Sequence, residues 1–416
     1  MITESDLEFV IADQRANFLS KPIGVLRHIT MDNFINSSQI VVISGVRRCG
    51  KSTLLRQFAQ RMGNECVYAN FDDERLLHFE VADFSTLLMV WHKQTSCKTV
   101  IMDEIQNIPS WQRFVRRIHD EGYKVFISGS NAKLLSGELG THLSGRYKQL
   151  TLTPFSFAEY LDLLALPVQK TTINLAAVSK AFDHYLLNGG FPLYCQTNDH
   201  DVLSTLYENI LFKDILFRYA IQERRSFRSL AYYALSNIGK EFSYRNITNI
   251  LGIKSDTSTK NYLAFMEEAY LLFQVPKYDH SLKKQYVSNK KLYSIDNGLS
   301  GSVAFRISQD RGRLLENLVY IELFRRGYQL FYHKQQKECD FVCIKQHRID
   351  HLIQVCDDIT PENTSREVDG LLEAMNAYNL SKGIILTRGK PQSIALAQTG
   401  KHVTVINIID WLLEKA

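Results

Sequence analysis

An α/β fold with a parallel sheet near its amino-terminal end is the architecture that this sequence predicts. Four short runs rich in Val, Ile, Phe and Tyr alternate with helix-like segments: QIVVISG, CVYANFDD, TVIMDEI and YKVFISGSN. Such alternation is typical of a parallel sheet with helices on both faces. A further strand, YKQLTLTPF, follows these four and ends at Pro154.

The composition is that of a globular protein with several domains. The chain has 416 residues, of which 45% are hydrophobic and 22% are charged, and this length exceeds what one ordinary core holds. We expect no signal peptide and no membrane contact, because no apolar run approaches the roughly 18 residues that a membrane span needs. The seven cysteines form no CxxC pair, which indicates a cytoplasmic protein without a disulfide framework.

Changes in the apolar pattern divide the chain into five segments. After the strand–helix region, apolar residues recur at helical spacing and then give way to a short helix, a turn at Gly252 and a second helix opened by Ser and Thr. Two strand-like runs after this helix-turn-helix would form the wing of a winged helix. The predicted segments are a lead-in (1–38), an α/β core (39–155), a helical lid (156–225), a winged helix (226–300) and a second α/β domain (301–416).

The segment from Gly45 to Ser52, GVRRCGKS, matches the phosphate-binding pattern GxxxxGK[ST]. Glycines allow backbone N–H groups to surround a phosphate at a helix N-terminus, where the helix dipole favours anions. Lys51 would contact the β- and γ-phosphates, and the Ser52 hydroxyl would bind Mg²⁺. The predicted ligands are ATP and Mg²⁺, and the residues expected to bind the nucleotide here are Gly45, Gly50, Lys51, Ser52 and Thr53.

Two acids follow the apolar run TVIM, at the point where a buried strand would end. Asp103 would hold Mg²⁺ through water, and Glu104 would orient and polarise the attacking water. A polar residue after the strand YKVFISG, Ser130 or alternatively Asn131, could position that water. Ser and Asn are also preferred helix N-caps, so a capping role is the other interpretation of this pair.

Later motifs resemble those of a large group of bacterial and archaeal AAA-like ATPases that carry a C-terminal domain of unknown function. The resemblance covers nearly the whole chain and is carried by RYKQLTLTPFSFAEYL, GGFP and FKDIL. It implies an arginine finger at Arg146 and a homo-oligomer, with a hexameric ring expected. It also implies that GGFP replaces the charged sensor of the lid, with Gly190 and Pro192 near the nucleotide. A salt bridge for Arg146 and a simple helix break for GGFP are the alternatives.

The predicted winged helix has features of a DNA-binding surface. Between Thr205 and Ser300 there are 14 lysines and arginines against nine acids, which is a net charge of +5 and equals that of the whole chain. Such residues would contact phosphates or base edges, although winged helices also bind proteins. The candidates are Arg245, Asn246, Ser258, Lys260 and Asn261 on the two helices, and Lys283, Lys284, Lys290 and Lys291 beside the wing.

The last segment resembles the restriction-endonuclease-like fold. That resemblance implies a metal site with an acid on a helix, Glu316, and an acid on a strand, Asp340, followed by Glu-x-Lys. In this chain Gln354 and Cys356 stand at the Glu and Lys positions. Cysteine provides no fixed positive charge, so we expect a degenerate site without cleavage, unless Lys345 on the intervening hairpin replaces the lysine.

Three functional hypotheses follow from these patterns. The first is a Mg²⁺-dependent, oligomeric AAA-type ATPase that acts on DNA, including branched DNA in recombination, repair or mobile-element conflict. The second is a nucleotide-controlled switch, similar to STAND signalling ATPases, that acts through protein partners. The third is a nuclease gated by ATP. Stimulation of ATP turnover by DNA separates the first from the second, and a DNA cleavage assay tests the third.

Overall fold

The computed structural model describes residues 2–130, 143, 145–304, 310–396 and 400–414, with the side chains of 395 and 396 left out. The described chain forms two compact units, Met1–Thr153 and Pro154–Ala416, which we call the first and the second unit. No helix in the described ranges is both long and apolar enough to cross a membrane.

A five-stranded parallel sheet forms the centre of the first unit. Its strands are β1 (Ile40–Gly45), β2 (Val67–Asn70), β3 (Thr99–Asp103), β4 (Lys124–Gly129) and β5 (Tyr147–Leu152). The spatial order β2-β3-β4-β1-β5 places β4 between β1 and β3. All six residues of β1 are buried, as expected for a central strand covered on both faces. The carboxyl ends of β1, β3 and β4 therefore meet at one edge of the sheet.

Helices cover this sheet and complete its core. They are α1 (Glu4–Ser20), α2 (Asp32–Ile35), α3 (Lys51–Arg61), α4 (Asp83–Gln94) and α5 (Trp111–Asp120), with 3₁₀ turns at Glu74–Leu76 and Ile105–Asn107. Leu7, Val10 and Ile11 of α1 belong to the same buried cluster as the strand side chains. The Gln14 side chain bonds the edge strand β2, accepting from Asn70 N at 2.9 Å and donating to Asn70 O at 3.1 Å. Residues predicted as a lead-in are thus part of this core.

The second unit begins with helices and ends with a sheet. Its helices are α6 (Phe157–Leu163), α7 (Thr172–Asn188), α8 (Pro192–Thr197), α9 (Asp201–Asn209), α10 (Arg224–Ser236), α11 (Tyr244–Leu251), α12 (Asp256–Glu268), α13 (Leu282–Val287), α14 (Asn297–Val303), α15 (Arg311–Arg325), α16 (Thr364–Ala377) and α17 (Ile408–Leu413). A capping box opens α6, where the Ser156 hydroxyl accepts from Glu159 N and the Glu159 carboxylate accepts from Ser156 N. The FKDIL motif lies in a π-helix, Ile210–Phe217, which continues α9.

Four helices and a small antiparallel sheet follow one another in the order α10, β6, α11, α12, β7, α13, β8. The strands are β6 (Glu241–Phe242), β7 (Leu272–Pro276) and β8 (Lys290–Ser294), with β8 in the middle. Helix α11 ends at Gly252, whose φ of 63° is a left-handed conformation that glycine adopts at low cost. Helix α12 begins after Ser255, whose hydroxyl accepts from Ser258 N at 3.1 Å.

A six-stranded mixed sheet completes the second unit, in the order β13-β14-β12-β11-β10-β9. Its strands are β9 (Gln329–Lys334), β10 (Glu338–Lys345), β11 (Arg348–Val355), β12 (Lys382–Thr387), β13 (Gln392–Leu396) and β14 (Lys401–Asn407). The pairing of β10 with β9 shifts by one residue between Cys339 and Val342. Such a bulge changes the direction of side chains next to it, and Asp340 lies within it.

The Gly-Gly turn of the GGFP motif packs against the start of α14. Gly190 N donates to the Asp296 carboxylate at 2.7 Å, and Gly190 O accepts from Phe155 N at 2.8 Å. A Cβ atom on Gly189 would lie 2.0 Å from Asp296, and one on Gly190 would lie 2.3 Å from Phe155 O. Both glycines are therefore required by close approach of the backbone to its neighbours within the second unit.

Candidate functional site

The phosphate-binding loop connects β1 to α3 in the first unit. Gly45 has a φ of 149°, and a Cβ there would lie 2.1 Å from Leu152 O, so only glycine fits between β1 and β5. Gly50 has a φ of 101° immediately before α3 begins at Lys51. Arg48 in the same loop also has a positive φ, 64°, and is exposed. The loop thus turns sharply into a helix N-terminus, the geometry that favours anion binding.

Lys51 occupies the inside of this loop. Its ammonium donates to Gly45 O at 3.2 Å and to Val46 O at 3.3 Å, and lies 3.7 Å from the Glu104 carboxylate. The Lys51 side chain is only 4% exposed. A buried cation held mainly by carbonyl groups is well placed to exchange these contacts for phosphate oxygens.

The acids Asp103 and Glu104 lie at the carboxyl end of β3. Asp103 is buried, and its carboxylate accepts from the Ser128 hydroxyl and from Tyr68 Oη, the latter at 3.2 Å. Burial, together with the charge of Glu104, raises the pKa of Asp103, while hydrogen bonds from Ser128 and Ser52 oppose this shift. Asp103 and the Ser52 hydroxyl therefore meet directly.

Glu104 has a left-handed backbone, with φ 52° and ψ 39°, immediately after the strand. A non-glycine residue in this region is held there by its surroundings, and such strain is concentrated at functional sites. The Glu104 carboxylate accepts from the Gln106 side chain, and Glu104 N donates to the Ser128 hydroxyl at 3.2 Å. The carboxylate is 20% exposed, so it is the more accessible of the two acids.

Ser128, on β4, is the polar residue that contacts both acids, through its bonds with Asp103 and Glu104 N. Ser130, predicted to position the attacking water, is buried just beyond the end of β4, and that role stays a prediction. The alternative candidate, Asn131, lies outside the described residues. Ser128 and Tyr68 are site residues that the sequence analysis did not single out.

A cavity of about 420 Å³ opens on this edge of the first unit. Ser52 and Asp103 line it, and so does Arg56, one turn further along α3. The hydroxyl and carboxylate oxygens that Mg²⁺ prefers thus face a common space next to a helix N-terminus. Ser52 and Asp103 thus provide oxygen ligands that fit Mg²⁺.

Arg146 lies just before β5, and its guanidinium forms an ion pair with the Asp120 carboxylate at 3.6 Å. Both side chains are partly exposed, at 37% and 49%, so the pair is screened by solvent and contributes little stability. Arg146 is accordingly able to leave Asp120. Action in trans by Arg146, and a nucleotide contact by Gly190 or Pro192, stay predictions.

Most of the predicted DNA-contacting side chains in the second unit are exposed. Arg245 and Asn246 lie in the first turn of α11, and Lys260 and Asn261 lie on α12. The Ser258 hydroxyl is half-buried, 3.0 Å from the Ser255 hydroxyl at the N-cap. The exposed residues of this set are Arg245, Asn246, Lys260, Asn261, Lys283 and Lys284.

Lys291 is the exception among the lysines beside the predicted wing, because it does not lie on the surface. Its side chain is 2% exposed, and its ammonium contacts Glu316 on α15 and Asp340 on β10. The expectation that Lys291 faces solvent was therefore wrong: β8 is the central strand of its sheet, and the side chain enters the carboxylate cluster.

The predicted degenerate nuclease residues lie together in the second unit. Glu316, Asp340 and Gln354 all line one cavity of about 460 Å³. Gln354 accepts from Asp340 N at 3.2 Å and donates to Glu367 at 3.0 Å. Lys345, the possible substitute lysine, is exposed at the hairpin end of β10 with its ammonium 5.1 Å above the Tyr328 ring. The lysine at the acids is thus Lys291.

Comparison with known families identifies the class of protein. Residues 37–161 match the family model described as an AAA domain, which covers the sheet and the loop described above. Residues 179–310 match a model described as a domain of unknown function, DUF8612. The chain is therefore an AAA-like P-loop ATPase in its fold, followed by a domain of unknown function.

Two curated relatives place the chain in a family. The uncharacterized protein MJ1544 of Methanocaldococcus jannaschii is 33% identical over 362 residues, 82% of this chain and 80% of that protein. An uncharacterized protein of Haemophilus influenzae is 32% identical over 400 residues, 92% of this chain and 96% of that protein. The chain belongs to the family of AAA-domain proteins that contains these two.

Solved structures show a more distant likeness. The Thermotoga maritima RuvB Holliday junction branch migration motor aligns at 15% sequence identity with a TM-score of 0.29, covering 65% of this chain and 88% of that one. A likeness of this size carries no conclusion about what the present chain does.

Proposed function

We propose that this protein hydrolyses ATP with Mg²⁺ at the loop between β1 and α3. The strongest support is that two pairs of residues, one from α3 and one from the end of β3, lie close together at one edge of the sheet. Lys51 and Ser52 begin α3, and Asp103 and Glu104 end β3, with the Lys51 ammonium 3.7 Å from Glu104. Phosphoryl transfer requires a phosphate cradle, a metal ligand pair and a group that orients water, and these four residues provide them.

The proposed division of roles follows from these contacts. The loop N–H groups and Lys51 bind the β- and γ-phosphates, and the Ser52 hydroxyl and Asp103 hold Mg²⁺. When bound, Mg²⁺ neutralises charge on the phosphate oxygens. Glu104 orients the attacking water and accepts its proton. Ser128 fixes the positions of Asp103 and of the Glu104 backbone, so that both acids keep their geometry when the nucleotide binds.

ATP turnover of the full chain, with and without DNA, tests this proposal. Lys51→Ala removes the cation that contacts the phosphates, and we expect turnover to fall at least 10²-fold. Lys98→Ala is a matched control, because Lys98 lies on the same unit outside the loop. Turnover in Lys51→Ala equal to the wild type would contradict the proposal.

We further propose that the surface formed by α11, α12 and the β7–β8 region binds DNA. Six of the predicted contact residues there are exposed, four of them basic. Lysines and arginines at such positions bind phosphates without selecting a sequence, and each contact that is made releases counterions. We expect ATP turnover to rise with single-stranded, duplex or four-way-junction DNA. A flat response would favour a nucleotide-controlled switch that acts through protein partners.

The salt dependence of DNA affinity gives a direct count of these contacts. Lys260→Ala and Arg245→Ala should each reduce the slope of log affinity against log salt concentration by about 1. Lys180→Ala, on α7, is a matched control outside the proposed surface, and its slope should equal that of the wild type. Unchanged slopes in both test variants would place the DNA contact, if any, elsewhere.

We propose that hydrolysis occurs in a homo-oligomer, a hexameric ring by analogy with the AAA class, and that Arg146 acts on a neighbour's nucleotide. The weak, partly exposed pair with Asp120 leaves the guanidinium available. Mixing Arg146→Ala with Lys51→Ala subunits tests this: each alone is inactive, and mixed rings regain turnover where an intact Arg146 faces an intact Lys51. Absence of rescue in assemblies of normal size would refute action in trans.

The nuclease-like part of the second unit is proposed to lack cleavage activity. The order of helix α15, the meander β9–β10–β11, α16 and the parallel strand β12 supports a restriction-endonuclease-like core, and we assign its metal-ligand positions to Glu316 and Asp340. Incubation with Mg²⁺ or Mn²⁺ and linear, supercoiled or branched DNA should give no products. Cleavage that disappears in Asp340→Ala would overturn this part of the proposal and support an ATP-gated nuclease.

A further inference from the structure

A buried lysine lies at the centre of the carboxylate cluster in the second unit. The Lys291 ammonium lies 2.7 Å from Glu338, 2.9 Å from Glu316 and 3.2 Å from Asp340. An ammonium group has three protons to donate, so each carboxylate can receive one of them. Burial by itself would lower the pKa of Lys291, but Tyr293 and the three carboxylates outweigh it and hold the pKa well above its usual value. The surrounding carboxylates thus favour the charged form of Lys291.

Each of these acids also has a second partner. Asp340 Oδ2 accepts from Val355 N at 3.0 Å, Glu316 Oε1 accepts from Tyr293 Oη at 2.6 Å, and Glu338 Oε2 lies 3.2 Å from the Lys334 ammonium. Gln354 turns its carbonyl oxygen to the Asp340 backbone N–H. Its amide nitrogen donates to Glu367 at 3.0 Å, so both ends of the amide have partners within the protein.

The cavity in front of the acids does not reach the lysine. Glu316, Glu338 and Asp340 line it, whereas Lys291 is not among the described residues of its wall. Lys291 comes from β8, behind the acids. Its three ammonium protons are matched by carboxylate oxygens at 2.7, 2.9 and 3.2 Å, so we infer that it does not replace the missing catalytic lysine. With Lys291 among these acids, no group of three Asp, Glu, His or Cys residues within the described ranges has an arrangement suited to a metal ion.

We propose that Lys291 takes the place of the divalent cation in this site, and that its removal would open a divalent-cation site formed by Glu316, Glu338 and Asp340. This inference rests on the nuclease-like interpretation of the second unit given above. Hard divalent cations bind to oxygen ligands of this kind, and here the same oxygens are neutralised by the protein's own ammonium. A dication next to Lys291 would face a like charge and carboxylates already engaged.

Lys291 and its three carboxylate partners also connect separate elements of the second unit. Lys291 belongs to the three-stranded sheet, Glu316 to α15, and Glu338 and Asp340 to the six-stranded sheet. One ammonium therefore ties three elements together without an exchangeable ion. A metal in the same place would make this junction depend on metal concentration, and Lys291 removes that dependence.

Mn²⁺ binding to the nucleotide-free, full-length protein, followed by electron paramagnetic resonance, tests the inference. We compare the wild type, Asp340→Asn, Lys291→Met and the double variant Lys291→Met/Asp340→Asn. The wild type and Asp340→Asn should bind equal amounts of Mn²⁺, since any binding at Asp103 is common to all four. Lys291→Met should bind one additional Mn²⁺, and the double variant should lose it. The melting temperature of Lys291→Met should rise with Mn²⁺ and that of the double variant should not.

Lys334→Met is the matched control, because Lys334 contacts Glu338 but is 43% exposed. It should gain no Mn²⁺ site. Folded Lys291→Met without additional Mn²⁺ would overturn the inference. If Lys291→Met does not fold, the wild type still decides the matter, since Mn²⁺ binding that Asp340→Asn abolishes would show that Lys291 does not exclude the cation. Neither readout involves ATP turnover or DNA cleavage, so failure here is distinct from failure of the proposed function.

Discussion

Ser128 and Ser130 are both candidates for the polar side chain that contacts the two acids, and the structure shows this contact for Ser128. Ser128 and Ser130 are two residues apart near the end of β4, and alternation along a strand would place both on the same face of the sheet. Sequence alone therefore does not distinguish them. The register does: β4 pairs with β1 so that Ser128 lies beside Ile43, level with the end of β3, where its hydroxyl reaches Asp103. We therefore assign the positioning role to Ser128.

Replacing Ser128 with alanine should slow ATP turnover. The variant loses one hydrogen bond to the Asp103 carboxylate and the acceptor of Glu104 N, and hydrogen bonds to charged groups contribute about 1.5–3 kcal/mol each. We expect turnover to fall roughly tenfold to a hundredfold. Steady-state turnover measured beside Ser130→Ala checks this. A larger loss in Ser130→Ala than in Ser128→Ala would favour Ser130, the residue predicted from the sequence.

The residues of the phosphate-binding loop could be predicted because they lie within one short motif. The contacts of Lys291 could not be predicted, because its partners are far away in the sequence. GVRRCGKS carries its ligands within eight adjacent positions, so the motif contains the site. Lys291 resembles its neighbour Lys290 in sequence, and its partners Glu316 and Asp340 are 25 and 49 residues away. Only the pairing of β8 between β6 and β7 shows that it faces inwards.

The Gly-Gly turn and the first turn of α14 form one packed element. Asp296 caps α14 by accepting from Leu299 N at 2.9 Å and also binds Gly190 N, so one carboxylate joins two segments 106 residues apart. Gly298 takes part as well, since a Cβ there would lie 1.9 Å from Asn188 O. The sequence indicated an interruption of helices at GGFP, but its partner could not be predicted because the contact is long-range.

Gly190→Ala should destabilise the second unit. The new methyl group would meet Phe155 O at 2.3 Å, and inserted methyl groups in packed regions cost about 1–3 kcal/mol. We expect a melting temperature several degrees below the wild type. Gly312→Ala is the control, because its Cβ would be 3.5 Å from the nearest atom, an ordinary contact. Equal melting temperatures for the two variants would show that the turn can move aside.

Asp296 should make stability depend on pH. Burial raises the pKa of Asp296 from 3.8 to about 6, although the backbone N–H donors oppose this shift. The folded state then binds more protons than the unfolded state between these values. The associated stability is fully present below the unfolded pKa and is lost as pH rises through the folded pKa. The free energy of unfolding should fall by about 1 kcal/mol between pH 5 and pH 7 through this group.

Urea unfolding of the wild type and Asp296→Asn across this range isolates the effect, because other groups titrate equally in both proteins. The unfolding free energy of the wild type minus that of Asp296→Asn should decrease as the pH rises, because only the wild type loses the contribution of this carboxyl. A difference that is constant from pH 5 to pH 7 would show that Asp296 does not titrate in this window.

Across the chain, the two units differ in how much of their structure the sequence reveals. The parallel sheet of the first unit follows from its alternating strands and helices, and the family match to an AAA domain agrees with it. Helix α1 was not assigned to this core because its contacts with β2 are long-range: Gln14 and Asn70, which are bonded, are 56 residues apart. The residues that would bind ATP can be predicted from local motifs. The exposed surfaces and the carboxylate cluster of the second unit cannot, because they depend on tertiary contacts.

Single-turnover ATP hydrolysis by Glu104→Gln, measured beside a nucleotide-binding assay, distinguishes an ATPase site from a loop that only binds nucleotide. The amide keeps the shape and the contact with Gln106 but cannot accept a proton. We expect a loss of hydrolysis of at least about 10²-fold, with ATP affinity within a few-fold of the wild type. Glu80→Gln, an exposed acid on the same unit, should hydrolyse ATP at the wild-type rate. Wild-type hydrolysis by Glu104→Gln would contradict the claim that this loop and its two acids form an ATPase site.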